Sequence, residues 1–335
     1  MINVFIVPVE GKQAEFALHG NSIPEVFPQN SVVWIDVEGT EQADMQMLKE
    51  RLSLDEFSMK DVVVGNQRPK IVDYDHYNFG VVRVPSDEEV GISFSELFLF
   101  FSESWIVTIH KTPMKIVDLA KERIKARGLS LFKMKPSTDL LFYLLVDFAV
   151  DSFYPVLDAK EDEIDSLERQ IETTVEQKRG NINGIRSISK SFMSLKGDLM
   201  TLRRDASALR DVLGQIMRGA VPFIHDQVLR NFRDIYDHAF QLIETLDTYR
   251  ERVNEVRDLH ISMITASTNN VVKVLTIVVT ILTPLSLIAG IYGTNFTPGF
   301  FTPGTGLWYS FYVMVAIMVG IAATMAYFFR RAGWM

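Results

Sequence analysis

The chain has 335 residues, 47% of them hydrophobic, with a formal net charge of -8 and no cysteine. A length of this order accommodates about two or three folded units. The acidic balance argues against the basic surface that nucleic acid requires, and the missing thiols exclude a disulfide framework and cysteine-ligated zinc or iron–sulfur centres.

The opening stretch MINVFIVPVEGK alternates like a strand and lacks a basic leader region, which predicts a strand rather than a signal peptide. Strand-like runs rich in β-branched and aromatic residues fall at 4–9, 32–37, 70–73, 77–84, 93–101 and 105–110. Helical patterns at 41–51 and 113–126 interrupt them, so residues 1–135 read as a cytoplasmic α/β domain. From Pro136 the texture changes to long helices. One is expected over 138–175, containing DAKEDEIDSLERQIE, and a second from Ile185 to Met217 after the turn RGNING. Together they make residues 136–221 an acidic antiparallel helix pair. The stretch RGAVP ends the second helix, and Pro222 suits the first turn of the next.

No breaker follows until Pro284, so one helix is expected from Pro222 to Tyr292, extending about 107 Å at about 1.5 Å per residue. From Val274 to Phe329 there is no Asp, Glu, Lys, Arg or His. The Gly/Pro-rich segment 293–306 divides this run into two apolar stretches, 274–292 and 307–329, each near the roughly 20 residues that cross a hydrocarbon core. Lys273 precedes the first, Arg330 and Arg331 follow the second, and the connecting loop is uncharged. The positive-inside rule therefore places both termini, the stalk 222–273 and the basic tail 330–335 in the cytoplasm, with only the loop 293–306 outside.

Two seams run along the long helix. Val228, Phe232, Ile235, Ala239, Leu242, Leu246, Tyr249, Val253, Val256, His260 and Met263 step alternately by four and three, as in a helix packed against other helices. A second line at the same alternation reads Asp234, Asp237, Gln241, Glu244, Thr248, Glu251, Glu255 and Asp258. It continues as Ser262, Thr265, Asn269, Val272, Thr276, Val279, Thr283 and Ser286. A solvated face explains the cytoplasmic part alone, and threonine hydroxyls can bond back to their own helix. A polar stripe that persists beyond Lys273 gains nothing from facing lipid, and polar residues within a membrane face partner helices or a wet path. One hairpin cannot enclose such a path, so several copies are expected around an axis, with the first span inside and the second against lipid.

The stretch KVLTIVVTILTPLSLIAGIYGTNF resembles the first transmembrane helix and signature of the CorA family of divalent-cation channels. The family's Tyr-Gly-Met-Asn stands here as Tyr292, Gly293, Thr294 and Asn295. NQRPK, FRDIYDH, DEIDSLE and the tail FRRAGWM agree as well, in order along the chain. The resemblance implies a funnel-shaped homopentamer in the inner or plasma membrane, in which α/β domain, helix pair, stalk and two-helix transmembrane hairpin follow one another. It implies a selectivity filter of Gly293, Thr294 and Asn295, although read alone Gly293 and Asn295 also suit a helix C-cap and turn. Asp258, Asn269, Val272, Leu275 and Thr283 match positions along the family's axis. Magnesium is implied as both transported and regulatory ion, with cobalt, nickel and zinc as further candidates. Asp61 and Asp234 match a carboxylate pair that meets across subunits through a divalent ion. Empty, such a pair repels; bridged, it holds the ring closed.

Two departures bear on selectivity. Thr294 replaces the signature methionine, and the loop TPGFFTPGTGLWYS has no acidic residue. The family's zinc branch also varies the signature's middle residue, so a zinc transporter is one alternative and a non-conducting membrane scaffold or ion sensor is another. Lys60, beside Asp61, stands where the family carries an acid. His238 and His260 read as packing or solvated residues, and the acidic segment 161–168 as a solvated face or a third ion site. No Gly-rich phosphate loop, HExxH or nucleophile constellation is present, so no enzymatic activity is expected.

Overall fold

The computed structural model describes residues 2–8, 23, 27–28, 31–88, 91–127, 134–176, 182–293 and 307–334. They divide into two compact units, Met1–Val256 and Arg257–Met335.

The first unit is built on a six-stranded mixed sheet of β1 (Ile2–Pro8), β2 (Ser31–Glu38), β3 (Lys70–Tyr74), β4 (Tyr77–Glu88), β5 (Gly91–Phe101) and β6 (Trp105–His110), in the order β1-β2-β6-β5-β4-β3. The β2–β6 pair is parallel, with Val33 opposite Trp105, and the other neighbours are antiparallel. Alternation along β5 sends Phe98 and Phe100 into one core, with Met45, Leu48, Met59 and Val62 of α1 (Gln42–Leu52) and α2 (Glu56–Val64). Phe101 lies on the opposite face, stacked on Phe142 at 4.4 Å. The short α2 was not expected. Its nine residues end in three β-branched valines, a pattern that reads as strand until Asp55 is seen accepting the Phe57 N–H as an N-cap.

The chain continues through α3 (Lys115–Arg127), α4 (Thr138–Asp151), α5 (Phe153–Glu176) and α6 (Ile182–Met217), and α4 packs on that second face through Phe142. Lys121 of α3 is tied to the sheet through buried Asp36, 2.8 Å away, which also faces His110 at 3.1 Å and accepts from Thr108 at 2.6 Å. The single helix expected over 138–175 is two helices meeting at Ser152. Pro155 has no N–H to give the Asp151 carbonyl and its ring crowds that carbonyl, which places the break at this point. By length and apolarity the stretch Thr138–Ile171 could cross a membrane, but most of its apolar part is buried inside the protein. Leu140, Leu141, Phe142, Leu144 and Leu145 of α4 are core.

The long helix α7 runs from Asp226 to Gly293 and passes through Pro284 without interruption. It starts four residues later than the expected Pro222. Asp139, fully buried on α4, accepts the His225 backbone N–H at 2.9 Å and also faces the His225 ring at 2.9 Å. A carboxylate at a helix start satisfies an orphan N–H and complements the dipole, so the cap is supplied by another element. Within the first unit the apolar seam is buried at Val228, Phe232, Ile235, Ala239, Leu242, Leu246, Val253 and Val256, with Tyr249 half-buried. The Phe232 ring lies edge-on to Tyr143 at 5.4 Å.

The second unit consists of the remainder of α7 and α8 (Leu307–Arg331). Both carry membrane-length apolar stretches, whose windows are 6% and 0% buried. Val271, Val274, Leu275, Leu282, Leu287 and many α8 side chains are exposed. An apolar helical surface on this scale is covered by lipid or by other helices.

Candidate functional site

The polar stripe of α7 is exposed at every residue from Asp234 through Asp258 to Ser286. In the membrane-length part, the Thr276 hydroxyl donates to the Val272 carbonyl at 2.8 Å, Thr280 to Thr276 at 2.7 Å, and Thr283 to Val279 at 2.7 Å. Thr265, further down, donates to Ile261 at 2.9 Å. The threonine oxygens therefore sit on the helix surface with their protons turned inward.

Asn269, Val272, Leu275, Thr276, Val279, Thr283 and Ser286 are all exposed on the single chain, as are the apolar residues on other sides of the helix. Asp258, 66% exposed, lies 2.8 Å from the guanidinium of Arg257. Gly293 is the last helical residue, and a Cβ built on it would meet nothing within 4 Å. Thr294 and Asn295, the rest of the expected filter, lie outside the described residues.

The two expected regulatory carboxylates stand on different elements of the first unit, Asp61 on α2 and Asp234 on α7. Among the described residues no hydrogen bond or ion pair joins them within one chain. Asp61 is instead paired with Lys70 of the NQRPK stretch at 2.5 Å. The same ammonium donates to Gln67 Oε1 at 3.1 Å and lies 5.6 Å from the Phe79 ring centre. The helix that carries Asp61 also exposes Phe57 (75%), Val63 and Val64. Asp234 is exposed, with Tyr143, Asp147 and His238 in its electrostatic surroundings.

Sequence reasoning missed this last group. Burial first, then the neighbouring Asp151 charge, pushes the Asp147 carboxyl up to about 6, against the opposing influence of His238 and Arg123. Burial, Asp147 and Asp234 likewise push the Tyr143 phenol up to about 12. The signal available was the one-turn spacing of Asp147 and Asp151 within the apolar run LLVDFAVD. His260 is buried, which lowers its pKa, while His238 is exposed.

The acidic segment of α5 is a partly exposed face, and three of its carboxylates gather around one guanidinium. Arg252 of α7 lies 2.6 Å from Asp165 and 2.9 Å from Glu168, with Glu161 at 4.0 Å. Tyr249 donates to Glu161 at 2.9 Å. A second tie joins Arg203 of α6 to Asp247 of α7 at 2.6 Å. Among the described residues no cluster of three or more His, Cys, Asp or Glu is arranged to hold a metal ion.

A family model described as CorA-like Mg2+ transporter protein matches residues 29–331. Over 306 residues the chain is 30% identical to the cobalt/magnesium transport protein CorA of Thermotoga maritima, covering 90% of this chain and 83% of that protein. Over 141 residues it is 23% identical to the zinc transport protein ZntB of Pectobacterium carotovorum, covering 42% of each. The complete structure of the CorA magnesium transporter from Methanocaldococcus jannaschii superposes with a TM-score of 0.81 at 21% identity, over 100% of this chain and 99% of that one, and so shares its fold. Sheet, paired helices, long α7 and apolar α8 thus recur as a set, and the chain belongs to the CorA-like Mg2+ transporter protein family, whose members carry ions across membranes rather than catalyse reactions.

Proposed function

We propose that the chain conducts divalent metal cations, magnesium foremost, through a homopentameric pore lined by α7. The observation that carries this is the oxygen-bearing stripe of α7, which runs without a charge from Asn269 to Ser286 except for Lys273, a residue off the stripe, in a chain related over 90% of its length to a cobalt/magnesium transport protein. Magnesium gives up its water reluctantly, so a path of amide and hydroxyl oxygens can accept hydrogen bonds from the hydration shell and pass the ion hydrated. A membrane carboxylate ring would hold it too tightly for rapid release. Asp258 gathers cations at the inner end, Val272, Leu275 and Val279 form apolar constrictions, and Gly293, Thr294 and Asn295 form the outer filter. The chain sits in the inner or plasma membrane with both termini in the cytoplasm.

Gating rests on Asp61 and Asp234 of neighbouring copies, bridged by cytoplasmic magnesium in the closed ring. Support comes from the apolar surface of Phe57, Val63 and Val64 on the same short helix as Asp61, which suits burial against a second copy. At an ion concentration about 100 times the dissociation constant each site contributes about 2.7 kcal/mol to the closed state. Zinc is the second reading, favoured by Thr294, the uncharged loop and the likeness to a zinc transport protein. Flux into proteoliposomes tests both. Magnesium uptake abolished by Asn295→Ala is the expected result, and uptake of zinc but not magnesium selects the second reading. An intact oligomer that passes no divalent ion refutes conduction and leaves a scaffold.

A further inference from the structure

The end of α8 is closed by a specific turn. Gly333, at φ 71°, lets the Trp334 N–H reach the Phe329 carbonyl at 2.9 Å and its own N–H reach Arg330 at 3.2 Å. This is the paired closure of a Schellman motif, whose left-handed residue favours glycine. It folds Trp334 back onto Phe329, with ring centres 5.8 Å apart. Lys273, at the start of the apolar part of α7, reaches the same turn. Its ammonium donates to the Gly333 carbonyl at 3.0 Å and lies 6.0 Å from the Trp334 ring. The two helices are therefore clasped at their basic ends.

Among the described residues no Asp or Glu offsets the positive charge collected at this clasp. Arg330 and Arg331 are exposed beside it, and neither makes an ion pair among the described residues. From Leu259 to Trp334 the sequence contains no Asp or Glu. Trp334 is 43% exposed, and Tyr327 and Phe328, about two turns earlier, are 60% and 63% exposed. The indole N–H of Trp334 makes no hydrogen bond among the described residues. Tryptophan and tyrosine with arginine and lysine at the end of an apolar helix mark the depth of lipid headgroups, and at that depth the abundant anion is a lipid phosphate.

We infer that Arg330, Arg331 and the Lys273–Trp334 clasp form a binding site for the phosphate of an anionic phospholipid. The arginines supply donors in a fork that matches phosphate oxygens. Lys273, with one donor committed to Gly333, fixes the turn and adds charge, and Trp334 lays its ring against the glycerol region. The inference rests on the apolar stretches of α7 and α8 being membrane spans, and does not depend on which ion is carried.

The test uses the full chain in nanodiscs of phosphatidylcholine alone or mixed with phosphatidylglycerol, followed by detergent extraction and native mass spectrometry of the lipid retained. The parent is expected to retain phosphatidylglycerol preferentially. At about fivefold in affinity per basic residue, R330Q/R331Q should lose about 25-fold of that preference, while R330K/R331K should keep most of it. Inorganic phosphate should not displace the lipid at millimolar concentration. Equal retention by parent and R330Q/R331Q overturns the site, and displacement by inorganic phosphate overturns the lipid as its ligand. A chain that stays outside the bilayer refutes the spans themselves and the site with them, whereas insertion without lipid preference refutes the site alone.

Discussion

On the gating proposed above, Lys70 would set the threshold at which an ion takes hold of Asp61. Its ammonium lies 2.5 Å from the Asp61 carboxylate, with both side chains about one-third exposed, and Gln67 and Phe79 hold it in place. A divalent ion bridging Asp61 to a neighbour has first to displace that ammonium. A partly exposed pair of this kind is worth up to about 1 kcal/mol, or about fivefold in an ion's dissociation constant. Lys70→Met keeps the stem against Phe79 and removes the competing charge. Magnesium influx into proteoliposomes, measured against graded internal magnesium, should then be half-inhibited at up to about fivefold lower internal concentration, with the steepness of inhibition unchanged. Lys70→Arg should behave like the parent. An unchanged midpoint in Lys70→Met, or one moved to higher magnesium, would refute the competition.

Two further outcomes follow from the first unit. Arg252→Met should destabilise the chain by about 1–2 kcal/mol, because Glu161, Asp165 and Glu168 would then repel one another across partly exposed ground. Thermal unfolding should show that difference shrink in high salt, and a salt-independent loss would point to packing instead. Asp147, whose carboxyl is pushed up to about 6, is held more readily protonated in the fold than in the unfolded chain. Its contribution is therefore fully present below about pH 4 and lost as pH rises through about 6. Asp147→Asn should raise stability at pH 8 by about 1–2 kcal/mol, after allowance for its partial exposure, and by nothing near pH 4; a gain equal at both pH values would exclude titration as the cause.

The strands, the two long apolar stretches and the seam of α7 are legible in the sequence because each is a local pattern. Val228, Phe232 and Ile235 declare their shared face through spacing alone. What was not legible depends on residues far apart in the chain. Asp139 sits 86 positions before the His225 N–H it accepts, so the true start of α7 cannot be read from the residues around Pro222. That Glu161, Asp165 and Glu168 share the guanidinium of Arg252 cannot be read from α5, because their partner lies more than 80 positions further along the chain. The break at Ser152 was readable in principle, since Pro155 lies inside the expected helix; the unbroken apolar run on either side concealed it.

If α7 lines the proposed path, the inward-turned protons of Thr276 and Thr283 bear on the sign of what can pass. A hydroxyl whose hydrogen is already given to its own backbone shows a passing ion only lone pairs. Chloride would find no donor at these threonines, while the water coat of a cation would find acceptors there. In the proposed pore, discrimination by sign would rest partly on neutral side chains, and replacing these threonines with valine would weaken it without altering the width of the path.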